Sequence, residues 1–220
     1  MKISKEELNR KLLHVISGLI IPASILYLPK LNYLSIYGVI SVLGVCFLLS
    51  ILIEVIRFRV PFLKEIYLKF FGKFLRKEED SSMTGATYIF AASFLCSVIF
   101  INHPHIAFIV LNLFIFGDAV AALVGISIGR IKIKGKTLEG SIACFLFSLL
   151  ILKCVYPYLP FLLDNYQGGL SIKYAVFIAF LITFFEMFTF KIGNIKINDN
   201  LTAPLFSGML MVLFEKYFLS

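Results

Sequence analysis

Acidic and amide side chains lie inside or at the ends of otherwise apolar stretches of this chain. Asp118 is flanked by the segments FIFG and AVAALVG, Glu186 lies in another apolar stretch, and Asp199 and Asn200 begin a third. A charge inside a membrane costs on the order of several kcal/mol, so such residues are candidates for function. Carboxylate and amide oxygens are ligands that Mg²⁺ prefers, together with phosphate oxygens. We therefore predict a divalent-cation site formed by Asp118, Asp199, Asn200, Glu54 and Glu186.

Several of these residues also have structural interpretations. Glu54 and Arg57 are three residues apart and can pair with each other on one helix face. Asp199 and Asn200 can cap the start of a helix. His14, on an apolar helix, is more often a hydrogen-bonded packing residue than a catalyst, but it is kept as a candidate proton acceptor.

A glycine- and lysine-rich stretch covers residues 125–141, with the sequence GISIGRIKIKGKTLEGS. Glycines allow close backbone approach, lysines supply charge, and the free N–H groups of a helix start attract anions. The composition is typical of phosphate binding, although Gly129 and Gly135 are one residue too far apart for a Walker A loop. A basic loop followed by a helix cap is the structural alternative.

The elements that must position these residues are apolar helices. The chain has 220 residues, of which 60% are hydrophobic and only 15% charged, and apolar stretches of about 20 residues are typical of membrane spans. We predict an all-α integral membrane protein, a single domain over residues 1–220 with about seven transmembrane helices. The predicted spans are Lys11–Leu28, Leu34–Phe58, Gly85–Ile101, Ile106–Ile128, Leu138–Tyr156, Lys173–Phe190 and Leu201–Phe218.

Small residues recur every four positions along the fourth predicted span, at Gly117, Ala121, Gly125 and Gly129. Such a ridge lets neighbouring helices approach closely. Because Asp118 adjoins the ridge, we expect it to face the bundle interior rather than lipid.

The positive charge indicates an orientation. Of the 21 Lys and Arg residues, 17 fall at the N-terminus and after the second, fourth and sixth spans. The excess of basic residues in cytoplasmic loops predicts a cytoplasmic N-terminus and an outer C-terminus. The first span is interpreted as an anchor rather than a signal peptide. The candidate site then lies at the cytoplasmic face, and no acidic residue is expected in the outer half of the membrane.

A basic and aromatic segment, residues 61–77, has apolar positions at helical spacing, including Phe62, Ile66 and Phe70. It predicts an amphipathic helix in the cytoplasmic headgroup region, with lysines facing anionic lipid. Anchoring is one interpretation, and guidance of a lipid substrate toward the site is the other.

Two elements carry a resemblance to a known family. GDAVAALVG at residues 117–125 and KTLEGS at residues 136–141 resemble the dolichol kinase, phytol kinase and CTP-dependent diacylglycerol kinase family. The similarity extends in order to RKLLH at residues 10–14, to Glu54 and Glu186, and to DNLTAPL at residues 199–205. Met187 stands where related sequences often have Thr.

The resemblance implies a membrane kinase that transfers the γ-phosphate of CTP to a lipid alcohol, with Mg²⁺. Its acidic centre would be Asp118, as metal ligand or general base, with Asp199 and Asn200 as partners; Lys136 and His14 complete the predicted catalytic group. The implied nucleotide-binding residues are Lys136, Thr137, Glu139, Gly140 and Ser141. Membrane lipid and a nucleotide are the expected partners, and nucleic acid is not. The acceptor alcohol, the choice between CTP and ATP, and the oligomeric state are left open.

Two other functions compete with this interpretation. A cytidylyltransferase that forms CDP-lipids would use the same nucleotide, but its Lys-Asp and Pro-Gly-His-Gly-Gly signature is absent from the sequence. A transporter could use intramembrane carboxylates as ion relays. Its polar groups would be expected near the midplane and open to both sides.

Overall fold

The structure, a computed structural model, consists of helices and two very short hairpins. It describes residues 5–75, 77–133, 135–188, 191–192, 195–196 and 198–218, without the side chains of residues 5–10, 14, 77–78, 191–192 and 195–196. The helices are α1 (Lys5–Lys30), α2 (Ile36–Arg59), α3 (Pro61–Phe71), α4 (Gly85–Ile99), α5 (Pro104–Ile128), α6 (Leu138–Leu150), α7 (Ile172–Met187) and α8 (Asp199–Phe218). The hairpins pair β1 (Lys132–Ile133) with β2 (Lys136–Thr137), and β3 (Lys191–Ile192) with β4 (Ile195–Lys196).

Four helical segments in the described part of the chain are long and apolar enough to cross a membrane. They are Lys11–Lys30, Ile36–Arg59, Pro104–Ile128 and Leu138–Tyr158. The segment Gly85–Ile99 is apolar but shorter. The prediction of an all-α membrane protein is confirmed at this level, and the count of seven spans stays a prediction.

The central element of the bundle is α5. Of its 25 residues 14 are buried, and it packs against α1, α4, α6, α7 and α8. Every residue from His105 to Ile115 is buried, which is the pattern of a helix that is covered on all sides. Asp118 lies one turn further along, so the central helix carries this carboxylate into the bundle, as predicted.

The small residues of α5 allow α6 to pack very closely. A Cβ atom on Gly140 would lie 2.5 Å from the carbonyl oxygen of Ala121, and one on Gly117 would lie 2.8 Å from Sγ of Cys144. A Cβ atom on Gly125 would lie 2.5 Å from Oγ1 of Thr137. The predicted small-residue ridge is confirmed as the contact between α5 and the start of α6.

The ends of the elements differ from the prediction by a few residues. α6 continues as a π-turn over Ile151–Val155 and a 3₁₀ turn over Tyr156–Tyr158. α7 ends at Met187, before the predicted Phe190, which lies outside the described residues. This earlier end leaves the carbonyl group of Glu186 in the last turn, where it accepts a hydrogen bond from Lys136.

Candidate active site

The β1–β2 hairpin positions Lys136. Its turn includes Gly135 at φ +91°, a left-handed backbone conformation that favours glycine. Thr137 then caps α6, since its hydroxyl accepts from the N–H of Gly140 at 3.2 Å. The carboxylate of Glu139 reaches back and accepts from the N–H of Arg130 at 2.9 Å. These bonds fix the hairpin to the helix start and hold the Lys136 backbone in place.

The ammonium group of Lys136 joins three elements. Its Nζ lies 2.8 Å from Oε1 of Glu186, at the end of α7, and 2.8 Å from Oδ2 of Asp199, at the start of α8. It also donates to the backbone carbonyl of Glu186. A cation is favourable at the C-terminal end of a helix, where the carbonyl groups have no helical partner. Three predicted site residues that are up to 63 positions apart in sequence are therefore in direct contact.

A second lysine pairs with the carboxylate of the central helix. Nζ of Lys11, on α1, lies 2.5 Å from Oδ2 of Asp118 and 3.2 Å from the Asp118 carbonyl oxygen. Its side chain is only 3% exposed, so the charge is buried together with its partner. Lys11 was not among the predicted site residues, and it was counted among the basic residues that set orientation. Its place within RKLLH was the available signal.

The two lysine pairs form one electrostatic cluster. Burial alone would lower the pKa of Lys136, but the carboxylates of Asp199, Glu186 and Asp118 raise it above its ordinary value. In this cluster, the three carboxylates lie beside the two ammonium groups of Lys11 and Lys136. Among the described residues, Oε2 of Glu186 is buried and has no hydrogen-bond partner.

The amides at the start of α6 are largely occupied by the protein itself. The N–H of Leu138 donates to the carbonyl oxygen of Ile131 at 2.9 Å, and that of Gly140 to the Thr137 side chain. Ser141 donates through its hydroxyl to the Thr137 carbonyl oxygen at 3.3 Å. In this arrangement the lysines, rather than the helix-start amides, offer the positive groups for an anion.

Glu54 lies in a separate polar cluster. It pairs with Arg57, and its other oxygen accepts from the N–H of Thr84 at 2.8 Å and the hydroxyl of Thr87 at 3.1 Å. Both carboxylate oxygens thus bind protein donors, and the predicted pairing with Arg57 is confirmed. These contacts cap α4, and a metal-binding role for Glu54 stays a prediction.

Asn200 connects this cluster to the lysine site. Its Nδ2 donates to the carbonyl oxygen of Gly85, at the start of α4, at 3.3 Å. Asn200 directly follows Asp199, so the beginnings of α4 and α8 are held together beside Lys136. The side chain of the candidate His14 lies outside the described residues, on α1 one turn after Lys11.

A largely apolar cavity of about 640 Å³ lies next to this connection. It is lined by residues of α1, α2 and α4 and of the amphipathic segment that begins with α3. The helix α3 lies within the amphipathic helix that the sequence predicts over residues 61–77. Leu13 and Phe90 belong to its apolar wall, and Ile66 and Phe70 come from α3. The residues of its polar end include Glu54, Arg57, Thr84 and Thr87.

Glu215 contradicts one expectation of the sequence analysis. It lies near the end of α8, 16 residues after Asp199, and its side chain is 15% exposed. In the predicted orientation the end of α8 lies in the outer half of the membrane, so the expectation of no acidic residue there does not hold for Glu215. Tyrosine and histidine side chains solvate this carboxylate, and their approach could not be deduced from sequence separation.

The fold and site define an all-helical membrane protein with lysines and carboxylates gathered at one end of its bundle. The chain is 32% identical over 201 residues to the uncharacterized protein MJ1137 of Methanocaldococcus jannaschii, which covers 90% of this chain and 88% of that protein. It belongs to the family of that protein. It is also 28% identical over 205 residues to the uncharacterized protein RP860 of Rickettsia prowazekii, covering 90% of both chains.

A third similarity is more distant. The chain is 28% identical over 159 residues to the CTP-dependent diacylglycerol kinase 1 of Saccharomyces cerevisiae. This match covers 71% of the present chain and 52% of the yeast protein. No family model matches the chain, and no solved structure matches it.

Proposed function

We propose that this protein is a membrane-embedded lipid kinase that transfers the γ-phosphate of CTP to the hydroxyl group of a lipid alcohol. The similarity to a diacylglycerol kinase supports the reaction class. The observation that carries the proposal is the convergence of Lys136, Glu186 and Asp199 beside the pair of Lys11 and Asp118.

The two lysines supply the charge for binding the nucleotide. Phosphoryl transfer depends mainly on positioning and on neutralising charge, with little covalent chemistry by the protein. In the absence of a nucleotide, Lys136 neutralises Glu186 and Asp199, and Lys11 neutralises Asp118. When the nucleotide binds, the ammonium groups donate charge-assisted hydrogen bonds to the phosphate oxygens in place of some of their bonds to the carboxylates.

Glu186 and Asp199 are the residues that would hold Mg²⁺. The donor set fits, because both offer carboxylate oxygens and Oε2 of Glu186 is buried without a donor among the described residues. The ion supplies charge to the phosphate oxygens when it is bound. Asn200 and Glu54 stay predicted Mg²⁺ ligands, but their side chains already bind protein partners.

The apolar cavity is assigned to the acceptor lipid. Its volume of about 640 Å³ is within the range of small-molecule sites, and its apolar walls suit acyl or isoprenoid carbon. Its residue Gly85 accepts a hydrogen bond from Asn200, the neighbour of Asp199, which pairs with Lys136. A lipid lying in it would therefore bring its hydroxyl group toward the lysine cluster.

The reaction then balances as an in-line transfer. The lipid oxygen forms a bond to the γ-phosphorus, while the bond from that phosphorus to the β–γ bridging oxygen breaks and CDP leaves. We assign the proton of the hydroxyl group to Asp118, because its partner Lys11 lies on the helix that lines the cavity. His14, one turn further along α1, is the alternative acceptor.

The basic loops support a cytoplasmic position for this site, where the nucleotide is available. In this orientation the N-terminus is cytoplasmic, the C-terminus is outside, and α3 lies against the inner leaflet. The amphipathic segment then serves as one wall of the lipid cavity, which extends the substrate-guidance interpretation.

No observation favours either alternative function. Between the two polar ends, α5 presents a continuous buried apolar stretch whose polar residue, Asn112, binds the Gly18 carbonyl oxygen at 2.8 Å and the Tyr156 hydroxyl at 2.6 Å. Such a satisfied side chain does not form a path for ions. A cytidylyltransferase would release pyrophosphate and form a CDP-lipid, and both products differ from those of a kinase.

The direct test gives the purified protein γ-labelled CTP or ATP, Mg²⁺ and a panel of lipid alcohols. We expect label in a phosphorylated lipid, with CDP as the second product. Asp118→Asn should abolish transfer while the protein stays inserted and folded, as judged by gel filtration in detergent. Asp164→Asn, an exposed loop aspartate away from the site, is the matched control and should keep normal turnover. Near-normal transfer by Asp118→Asn would refute the site, and a CDP-lipid product would replace the kinase by a cytidylyltransferase.

A further inference from the structure

The bundle carries a second cluster of ionisable groups at its other end. Nδ1 of His103 lies 3.8 Å from Oε2 of Glu215, and Nε2 of His105 lies 3.6 Å from Oε1 of Glu215. The three ligand atoms that these residues offer all lie within 4.8 Å of one another. His103 precedes α5, His105 is in its first turn, and Glu215 is in the last turns of α8.

The surrounding side chains orient these groups. The hydroxyl groups of Tyr166 and Tyr174 both donate to Oε1 of Glu215, the latter at 2.8 Å. The amide of Asn165 lies 3.4 Å from Nδ1 of His105, on the ring edge opposite to the one that faces Glu215. Nε2 of His105 also lies 3.1 Å from the hydroxyl of Tyr166. A histidine that binds a metal through Nε2 carries its proton on Nδ1 and donates it to an acceptor. Binding would therefore need the Asn165 amide to turn its oxygen toward Nδ1, while the tyrosine hydroxyls continue to hold the Glu215 carboxylate.

We infer that His103, His105 and Glu215 form a binding site for a divalent transition metal such as Zn²⁺. Two histidines and one carboxylate are a known zinc ligand set, with metal–ligand distances of about 2.0–2.2 Å. A tetrahedral site with such distances separates neighbouring ligand atoms by about 3.3 Å. The two histidine–carboxylate separations of 3.6 and 3.8 Å are close to this value. The ligand atoms lie at most 4.8 Å apart, so the widest pair would approach by at most about 1.5 Å when an ion binds.

The cluster is open to an ion on one side, and its other side chains are held in place. His105 is 5% exposed and Glu215 15%, so two ligands are held by packing, whereas His103 is 39% exposed and leaves an approach for the ion. A water molecule on the exposed side would complete four-coordination. A bound ion would tie the beginning of α5 to the end of α8, two helices that pack along the bundle.

This site is independent of the proposed kinase chemistry. His105 is 13 residues before Asp118, which is about 20 Å along α5. Glu215 is 16 residues after Asp199, about 24 Å along α8. A metal ion bound to His103, His105 and Glu215 would therefore stabilise the opposite end of the bundle and would not contact the lysine cluster.

The test uses the full-length protein in detergent, freed of metal and titrated with Co²⁺, whose visible absorption reports tetrahedral binding. We expect one equivalent with the tetrahedral spectrum, distinct from an octahedral ion at Glu186 and Asp199. It should be displaced by Zn²⁺ and should raise the midpoint of thermal unfolding. His103→Ala should weaken the affinity at least about tenfold. His14→Ala changes the remaining histidine of the chain and is the matched control, with affinity unchanged.

A second variant protects the test against misfolding. Glu215→Gln replaces one carboxylate oxygen by an amide and should also weaken Co²⁺ binding, while gel filtration reports whether the protein stays folded. Absence of a one-equivalent spectrum in the unsubstituted protein overturns the inference. So does an affinity for Co²⁺ that His103→Ala and Glu215→Gln leave unchanged, or one that His14→Ala reduces as strongly. Each readout is independent of kinase activity, so the two proposals can fail separately.

Discussion

Lys136 shows how a single side chain can connect elements that are distant in sequence. It is held by Glu186 on α7 and Asp199 on α8, while its backbone belongs to the hairpin before α6. A lysine in a glycine-rich segment could be predicted as an anion ligand from its sequence context. Its two carboxylate partners could not be paired with it from sequence, because the hairpins and helix ends that bring them together depend on packing.

Removal of the Lys136 charge should impair turnover much more than removal of a neighbouring one. Lys136→Ala deletes a cation that the proposal places on the nucleotide phosphates, so kcat/KM should fall by about 100-fold or more. Lys132→Ala is the matched control, since Lys132 is an exposed lysine of the same hairpin. Steady-state kinetics with varied nucleotide measures both, and equal kinetic losses in the two variants would argue against a specific role for Lys136.

The stability contribution of Lys136 should be insensitive to pH in the neutral range. Its pKa is raised above its ordinary value of 10.5 by neighbouring carboxylates, against the effect of burial. A group whose pKa is higher in the folded than in the unfolded protein contributes its full stabilisation at pH values below the unfolded pKa. This contribution is lost only as the pH rises through the pKa of the folded protein. The difference in unfolding temperature between the unsubstituted protein and Lys136→Ala should stay constant from about pH 6 to about pH 9. A difference that shrinks steadily over this interval would contradict the assigned shift.

At the scale of the elements, a very close contact between α5 and α6 lies directly beside the site. Gly140→Ala would place a Cβ atom 2.5 Å from the carbonyl oxygen of Ala121 and 2.8 Å from Oγ1 of Thr137. Because a backbone group cannot move aside cheaply, the free energy of unfolding should fall by about 1–3 kcal/mol. Gly169→Ala is the control, since nothing lies within 4 Å of its added Cβ atom. Thermal unfolding in detergent compares the two, and equal midpoints would show that α6 shifts freely.

The cavity beside α3 predicts an effect on the lipid substrate alone. Ala86→Phe adds an aromatic ring to a cavity-lining residue, so the KM for the lipid alcohol should rise severalfold with little change in the KM for the nucleotide. Ile142→Phe, on the exposed face of α6 and outside the cavity lining, is the control. Both constants come from kinetics in mixed micelles. If Ala86→Phe alters only the nucleotide constant, the cavity is not the acceptor site.

At the scale of the whole molecule, the two polar clusters lie at opposite ends of α5, α7 and α8. The positive-inside pattern predicts that the lysine end faces the cytoplasm. Single cysteines at exposed loop positions test this in a background in which the four native cysteines are replaced by serine. Asp164→Cys should react with a membrane-impermeant thiol reagent in intact cells, and Arg130→Cys only after permeabilisation. The reverse pattern would place both the nucleotide site and the basic loops outside, against the proposed function.

The sequence by itself determined the helical class, the amphipathic helix and the small-residue ridge. Each of these features depends on local composition and on the spacing of residue types. On a helix, that spacing directly sets which side chains share a face. The sequence also identified Asp118, Glu186 and Asp199 as unusual, because charge in apolar surroundings is costly wherever it is placed. Lys136 was identified from its glycine- and lysine-rich context.

Only the tertiary structure decided which of these groups meet. It paired Lys11 with Asp118, brought one oxygen of Glu54 to Thr84 and Thr87 at the start of α4, and gathered His103, His105 and Glu215 at the other end. Such contacts join residues that are separated by tens of positions, and they follow from how helices pack and where each one ends. Packing of this kind is a property of the assembled bundle, and no local pattern in the chain specifies it.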